Sequence, residues 1–180
     1  YIMDKAGLKI IDIEMNNVNG GSSSIVVSNE KSKWTECISE IDKWIKREDE
    51  LGLKSMKPWK KLNTTINNNR DLFFNIINNI IKNGSKIAGL GASTKGNVTL
   101  QTWNLTKTEI DIIGDVNSDK WDSYTPGTWI PIQNEDEVLS KYDYFIILPW
   151  HFKEFFLSNK KFKGKKLIFP LPVPEIITVK

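Results

Sequence analysis

Three short segments carry the residue types that could do chemistry. The first runs Ile87-Ala88-Gly89-Leu90-Gly91-Ala92-Ser93-Thr94-Lys95-Gly96-Asn97, an apolar run that ends in Gly-x-Gly just before a helix-like stretch. Free amides at a helix start attract phosphate or carboxylate, and glycine lets such a ligand come close. Gly91, Ala92, Thr94, Lys95, Gly96 and Asn97 would form that cradle, with Lys95 as the point charge. The match to standard fingerprints is partial: Gly89-x-Gly91-x-x-Thr94 lacks the third glycine of a dinucleotide motif, and Gly91-x-x-x-x-Gly96-Asn97 lacks the Lys-Ser/Thr of a Walker loop. A tight strand-to-helix turn with no ligand fits the same residues, so both readings stay open.

The second segment begins at Asp115, at the end of the next apolar run, about 20 residues on, where dinucleotide folds keep a ribose-binding acid. Asn117 and Lys120 follow, and then Thr125-Pro126-Gly127-Thr128 makes a rigid turn. Asp115, Asp119 and Asp122 have no helical or EF-hand spacing, which favours a solvated loop over a metal site. The third segment is Leu148-Pro149-Trp150-His151. His151 is the sole histidine, so any imidazole acid or base must be this residue, although a hydrogen-bonding role fits it equally. Cys37 falls on an apolar helical face and pairs with no histidine, so no catalytic residue is assigned.

The elements that must position these segments follow from periodicity. Leu8–Met15 and Ser24–Ser28 are β-rich runs joined through Asn16-Asn17-Val18-Asn19-Gly20-Gly21, which reads as a hairpin. Trp34, Ile38, Ile41, Trp44, Ile45 and Leu51 recur at helical spacing. A second helix opens near Pro58 and runs to Lys82, stopped by Asn83-Gly84. Both helices are expected to bury their tryptophan-bearing faces. From Lys86 the pattern turns to α/β: strands at Lys86–Gly91, Ile110–Val116, Tyr144–Leu148 and Lys166–Phe169, and helices at Thr94–Trp103, Glu135–Lys141 and His151–Leu157. Asn134 should cap the middle helix, whose acidic first turn and Lys141 suit the dipole. Nearly continuous apolar strands alternating with helices predict an α/β fold, a Rossmann-like, mostly parallel sheet flanked by helices.

Composition narrows the function classes. In 180 residues, 39% are apolar and 26% charged, which fits a globular chain, and the net charge of +3 gives no basic footprint for nucleic acid. No apolar run approaches the ~20 residues of a membrane span. One cysteine forbids an internal disulfide and points to a reducing, cytoplasmic setting. The chain opens at Tyr1 without a signal pattern and reads as a portion of a longer protein.

Taken together, these segments resemble the C-terminal domain of the S-adenosylmethionine-dependent nucleotide-sugar C-methyltransferases. That family shows a Gly-x-Gly-Ala-x-x-Lys-Gly-Asn turn, here Gly89 to Asn97, and then Asp-x-Asn…Lys, here Asp115, Asn117 and Lys120. Pro-Gly-Thr-x-Ile-Pro-Ile follows at Pro126 to Ile132, Leu-Pro-Trp at Leu148 to Trp150, and a late Pro-x-Pro at Pro170 and Pro172. Upstream, Ala6-Gly7-Leu8, Ile11-Asp12-Ile13-Glu14 and Gly20-Gly21-Ser22 resemble the closing strands of the family's methyltransferase domain, with Asn19 where the family usually has histidine. The resemblance implies tail strands of that domain at 1–30, a helical connector at 31–84 and a Rossmann-like domain at 85–180. It also implies a role in holding an NDP-deoxysugar, with Trp150 and His151 joining the cradle residues, Asp115, Asn117 and Lys120 at the substrate. S-adenosylmethionine and the catalytic cluster would belong to the rest of the methyltransferase chain, leaving this portion inactive alone. Two other readings remain: a non-catalytic packing module of a sugar-modifying protein, and an NAD-binding oxidoreductase-like domain.

Overall fold

A computed structural model describes residues 1–180. The chain divides into two units, Tyr1–Thr64 and Thr65–Lys180. In the first, a short helix α1 (Ile2–Lys5) leads into β1 (Leu8–Asn16) and β2 (Ser22–Asn29), an antiparallel pair closed through Gly20 and Gly21. A bulge after Ile10 takes Ile11 out of the register, and the Ile11 carbonyl accepts the Cys37 amide at 2.8 Å instead. No third strand joins this sheet, so both of its edges are open. The helix α2 (Ile38–Leu51) ends in a left-handed Gly52. The helix α3 (Met56–Lys82) contains the division between the units.

No residue before Asn69 is fully buried, which corrects the expectation that the two helices bury their tryptophans. Trp34 lies ahead of α2 and is 62% exposed, Trp59 is 48% exposed, and Trp44 is only half-buried. The physical reason is local. A two-strand ribbon offers too little surface to enclose a helix face. Only the later part of α3 finds a core, through Asn69, Phe73, Ile77 and Ile80 at helical spacing.

The second unit is built on a sheet of β3 (Ile87–Leu90), β4 (Ile113–Asp115), β5 (Ile132–Asn134), β6 (Tyr144–Ile147), β7 (Lys166–Phe169) and β8 (Glu175–Thr178). The spatial order is β5-β4-β3-β6-β7-β8, parallel except for β8. This is the doubly wound order with its reversal between β3 and β6. Between the strands lie α4 (Thr94–Thr102), α5 (Glu135–Lys141) and α6 (Lys153–Ser158). Alternate residues of each strand feed opposite faces. Ile87, Ile146 and Ile168 meet Phe73, Ile77, Leu100 and Trp103 on one side. Ala88, Phe145, Ile147 and Phe169 meet Val138, Leu139 and Phe156 on the other. Both faces are covered, which is why the strands read as unbroken apolar runs.

Asn134 caps α5 as expected, its side-chain oxygen accepting the Asp136 and Glu137 amides. The stretch expected as one helix at His151–Leu157 is instead a 3-10 turn at Trp150–Phe152 followed by α6. The strands β5 and β8 were not legible as strands in the sequence, and the run at Ile110–Val116 pairs as a strand only over Ile113–Asp115.

Candidate functional site

Parallel pairing of β3 with both β4 and β6 brings the three chemistry-bearing segments to one carboxyl edge of the sheet. At the end of β3 the chain turns through Gly91, whose φ of +77° suits glycine. Ser93 then caps α4, its Oγ accepting the Gly96 amide at 3.0 Å. Thr94 is exposed at the first helical position, and Lys95, Gly96 and Asn97 complete the turn.

Both glycines are filled from the neighbouring strand end. A Cβ on Gly91 would stand 2.8 Å from Cγ and Cδ of Pro149, and one on Gly96 would overlap the Cβ of Leu148. The crevice at the strand-order reversal, where such folds take a ligand, is therefore occupied in part by the protein's own Leu148-Pro149.

Asp115 is 4% exposed and its carboxylate is engaged within the fold. Oδ2 accepts the Ala92 amide at 2.6 Å and the Lys120 ammonium at 3.1 Å, while Oδ1 accepts the Asn117 amide at 2.8 Å. Lys120 also donates to the Ala92 carbonyl at 3.0 Å, and Trp121 Nε1 to the Asp115 carbonyl at 2.8 Å. Two of the three ammonium protons of Lys120 are thus used, and one remains for a ligand. Asn117 is exposed and caps the 3-10 turn Ser118–Lys120, its side-chain oxygen accepting the Asp119 amide. No group of three or more acidic, histidine or cysteine side chains gathers as a metal centre.

On the α4 side of this clamp lies a cavity of about 200 Å³ lined by Ala92, Ser93, Asn97, Lys120, Tyr124 and Thr125 over an apolar floor of Leu100, Ile132 and Leu148. Of the residues singled out in the sequence, Ala92, Asn97 and Lys120 line it. Gly91, Thr94, Lys95, Gly96, Asp115, Asn117, Trp150 and His151 are not part of its lining. The Asn97 side-chain oxygen is buried and has no hydrogen-bond partner. Ser93 and the loop Ser123–Pro126 line the cavity without having been assigned to a ligand site from the sequence. A serine directly before a helix was a usable capping signal for the first. Nothing but position at the carboxyl edge marked the second.

Trp150 and His151 sit on the 3-10 turn after β6. The His151 ring lies 5.6 Å from Trp150, edge-on, and 4.2 Å from Phe152, with Nδ1 buried and unpartnered. Burial, and secondarily the positive charge of Lys95, hold its pKa below the ordinary histidine value. The folded state therefore resists protonation that the unfolded chain accepts below about pH 6.5. Stability should fall as pH drops from that value through the folded-state pKa. His151→Gln should flatten that part of the profile. Parallel melting curves for the two proteins from about pH 7.5 to pH 5 check this, and identical profiles would show that His151 is not the group responsible.

Residues 17–172 match the family model described as the C-methyltransferase C-terminal domain. Among curated proteins, the C-methyltransferase NovU of Streptomyces niveus is 24% identical over 181 residues, an alignment covering 98% of this chain and 43% of that protein. The chain thus spans less than half the length of the relative it matches. No helix is long and apolar enough to cross a membrane.

Proposed function

Because the chain belongs to the C-methyltransferase family and corresponds to its C-terminal domain, we propose that it holds the diphosphate of a nucleotide-sugar, an NDP-deoxysugar, against a methyltransferase domain elsewhere in the same protein. The observation that carries this reading is that Lys120 and the start of α4 meet at one cavity on the sheet's carboxyl edge, with Lys95 in the first turn of that helix. Lys120 is already oriented by Asp115 and the Ala92 carbonyl, so it meets an anion without further ordering. Thr94 and Asn97 add hydrogen-bonding groups, and Trp150 and His151 border the diphosphate from the β6 side.

S-adenosylmethionine does not fit the residues present. Asp115, where a ribose-binding acid would stand, is spent on Ala92, Asn117 and Lys120. Methyl transfer thus belongs to other parts of the protein, and these 180 residues alone are expected to give none in a transfer assay. The cytoplasm is the proposed location, given a single exposed free thiol.

Lys95→Ala in the full-length enzyme should weaken nucleotide-sugar binding by about 1.5–3 kcal/mol, the worth of one charged hydrogen bond, and leave the melting temperature in place. Titration calorimetry at two salt concentrations reads it. An unchanged affinity with unchanged salt dependence would favour a second reading, a packing module. That alternative has its own support, since Pro149 and Leu148 already account for Gly91 and Gly96 by packing.

A further inference from the structure

Beside the cavity stands an aromatic pair, Tyr124 and Trp129. Trp129 is 70% exposed and has a φ of +55°, a left-handed conformation that costs a bulky residue about 1–2 kcal/mol. Glycine or asparagine would take this position more cheaply. The tryptophan recovers little of that cost by burial within this chain.

Its turn is firmly braced. Thr125 donates its amide to the Ile130 carbonyl at 2.9 Å, and Trp129 donates its amide to the Thr125 carbonyl at 3.0 Å. Thr125 Oγ1 accepts the Ile130 amide at 2.9 Å and lies 2.6 Å from Thr128 Oγ1. Gln101 on α4 ties the turn down by donating to the Pro126 carbonyl at 2.9 Å. An exposed indole is thus displayed on a rigid support, at little entropic cost to a ligand that covers it.

The indole leads to the cavity through Tyr124. The two rings are 6.4 Å apart and tilted by 54°, Tyr124 is 53% exposed and lines the cavity, and the Lys107 ammonium stands 5.6 Å from the tyrosine ring. A flat heteroaromatic ring is what an exposed, braced indole beside such a cavity can stack.

We infer that Trp129, flanked by Tyr124, is the stacking platform for the base of the nucleotide. This rests on the nucleotide-sugar reading above and assigns the base end of the same ligand. Base–aromatic stacking tolerates any base, so Trp129 supplies affinity rather than a choice of base.

The test uses the full-length protein with Trp129→Asn, a residue that accepts the left-handed backbone, and with Trp129→Phe. ADP, GDP, CDP, UDP, inorganic diphosphate and glucose 1-phosphate are titrated separately. The expected result is that the tightest nucleoside diphosphate binds about 5- to 100-fold more weakly to Trp129→Asn, the range of one lost stack, and that Trp129→Phe restores most of the loss. Inorganic diphosphate should be unaffected, and the melting temperature of Trp129→Asn should hold or rise. Nucleotides that bind both proteins equally would overturn the inference and leave the nucleotide-sugar reading standing. Loss confined to glucose 1-phosphate would place the sugar on Trp129 and overturn it likewise. Equal weakening of inorganic diphosphate would mean that the phosphate end was disturbed, which also counts against a base platform. Failure of every nucleoside diphosphate to bind the wild-type protein would bring down both readings.

Discussion

Asp115→Asn is expected to lower the unfolding free energy by about 1.5–3 kcal/mol, the cost of losing a charged hydrogen bond from a buried position. The side chain keeps its shape but has one oxygen in place of two. If that oxygen faces Ala92 and Lys120, the new amide NH2 meets the Asn117 amide, donor against donor. In the opposite orientation it meets both the Ala92 amide and the Lys120 ammonium, which is worse. The Lys120 ammonium is partly exposed and can turn to water, so the loss should stay below that of a fully buried ion pair. A cycle with Lys120→Met separates the parts. Replacing Lys120 should cost less once Asp115 is asparagine, with a coupling of about 0.5–3 kcal/mol. Additive losses in chemical denaturation would show that the carboxylate does not act through Lys120. The Asp115→Asn variant should also bind nucleotide more weakly, because Ala92 and Lys120 would lose the group that orients them.

How much of this was legible in the sequence depends on whether a residue's partners are local. Asn134 could be placed from its neighbours alone, since a cap needs only the next three residues, and α5 was bounded correctly for that reason. Four of the five parallel strands announced themselves because burial on both faces writes an unbroken apolar run. The strands β5 and β8 did not. Ile132–Asn134 is three residues long and depends on Ile113–Asp115, and Glu175–Thr178 pairs with Lys166–Phe169 across a proline-rich turn. Pairing of that kind is tertiary and leaves no period to read. Trp34, Trp44 and Trp59 fell on an apolar stripe, yet a stripe says which face could be buried, not whether anything is there to bury it.

The site divides along the same line. Gly91–Asn97, Asp115–Lys120 and Leu148–His151 could each be picked out by type and spacing, and parallel pairing gathers them at one edge. What Asp115 faces could not be read. Spacing put an acid at the end of a strand, but its inward orientation follows from the 3-10 turn that returns Lys120 to the Ala92 carbonyl. The aromatic pair was hidden for a similar reason. A tryptophan in a loop looks solvated until the turn that braces it is seen.

The largest single effect is expected at Gly91. Two separate costs meet there. An L-residue at φ +77° bears about 1–2 kcal/mol of backbone strain. A methyl group placed 2.8 Å from two ring carbons of Pro149 forces an already packed contact apart, at about 1–3 kcal/mol. Gly91→Ala should therefore lose both, and the two can be told apart. Gly164 has the same left-handed backbone, φ +81°, with nothing within 4 Å of the added carbon, so Gly164→Ala measures strain alone. In a Pro149→Ala background the methyl meets no ring, and the cost of Gly91→Ala should fall toward the Gly164→Ala value. If it does, Gly91 is glycine because the end of β6 must lie against it, and that alone accounts for the residue. If the cost stays at its full size with the proline ring gone, the close approach of Pro149 is not what fixes this position, and strain elsewhere in the turn accounts for it. Urea denaturation of the wild type, the three single variants and the Gly91→Ala/Pro149→Ala double variant decides between these outcomes without any ligand present.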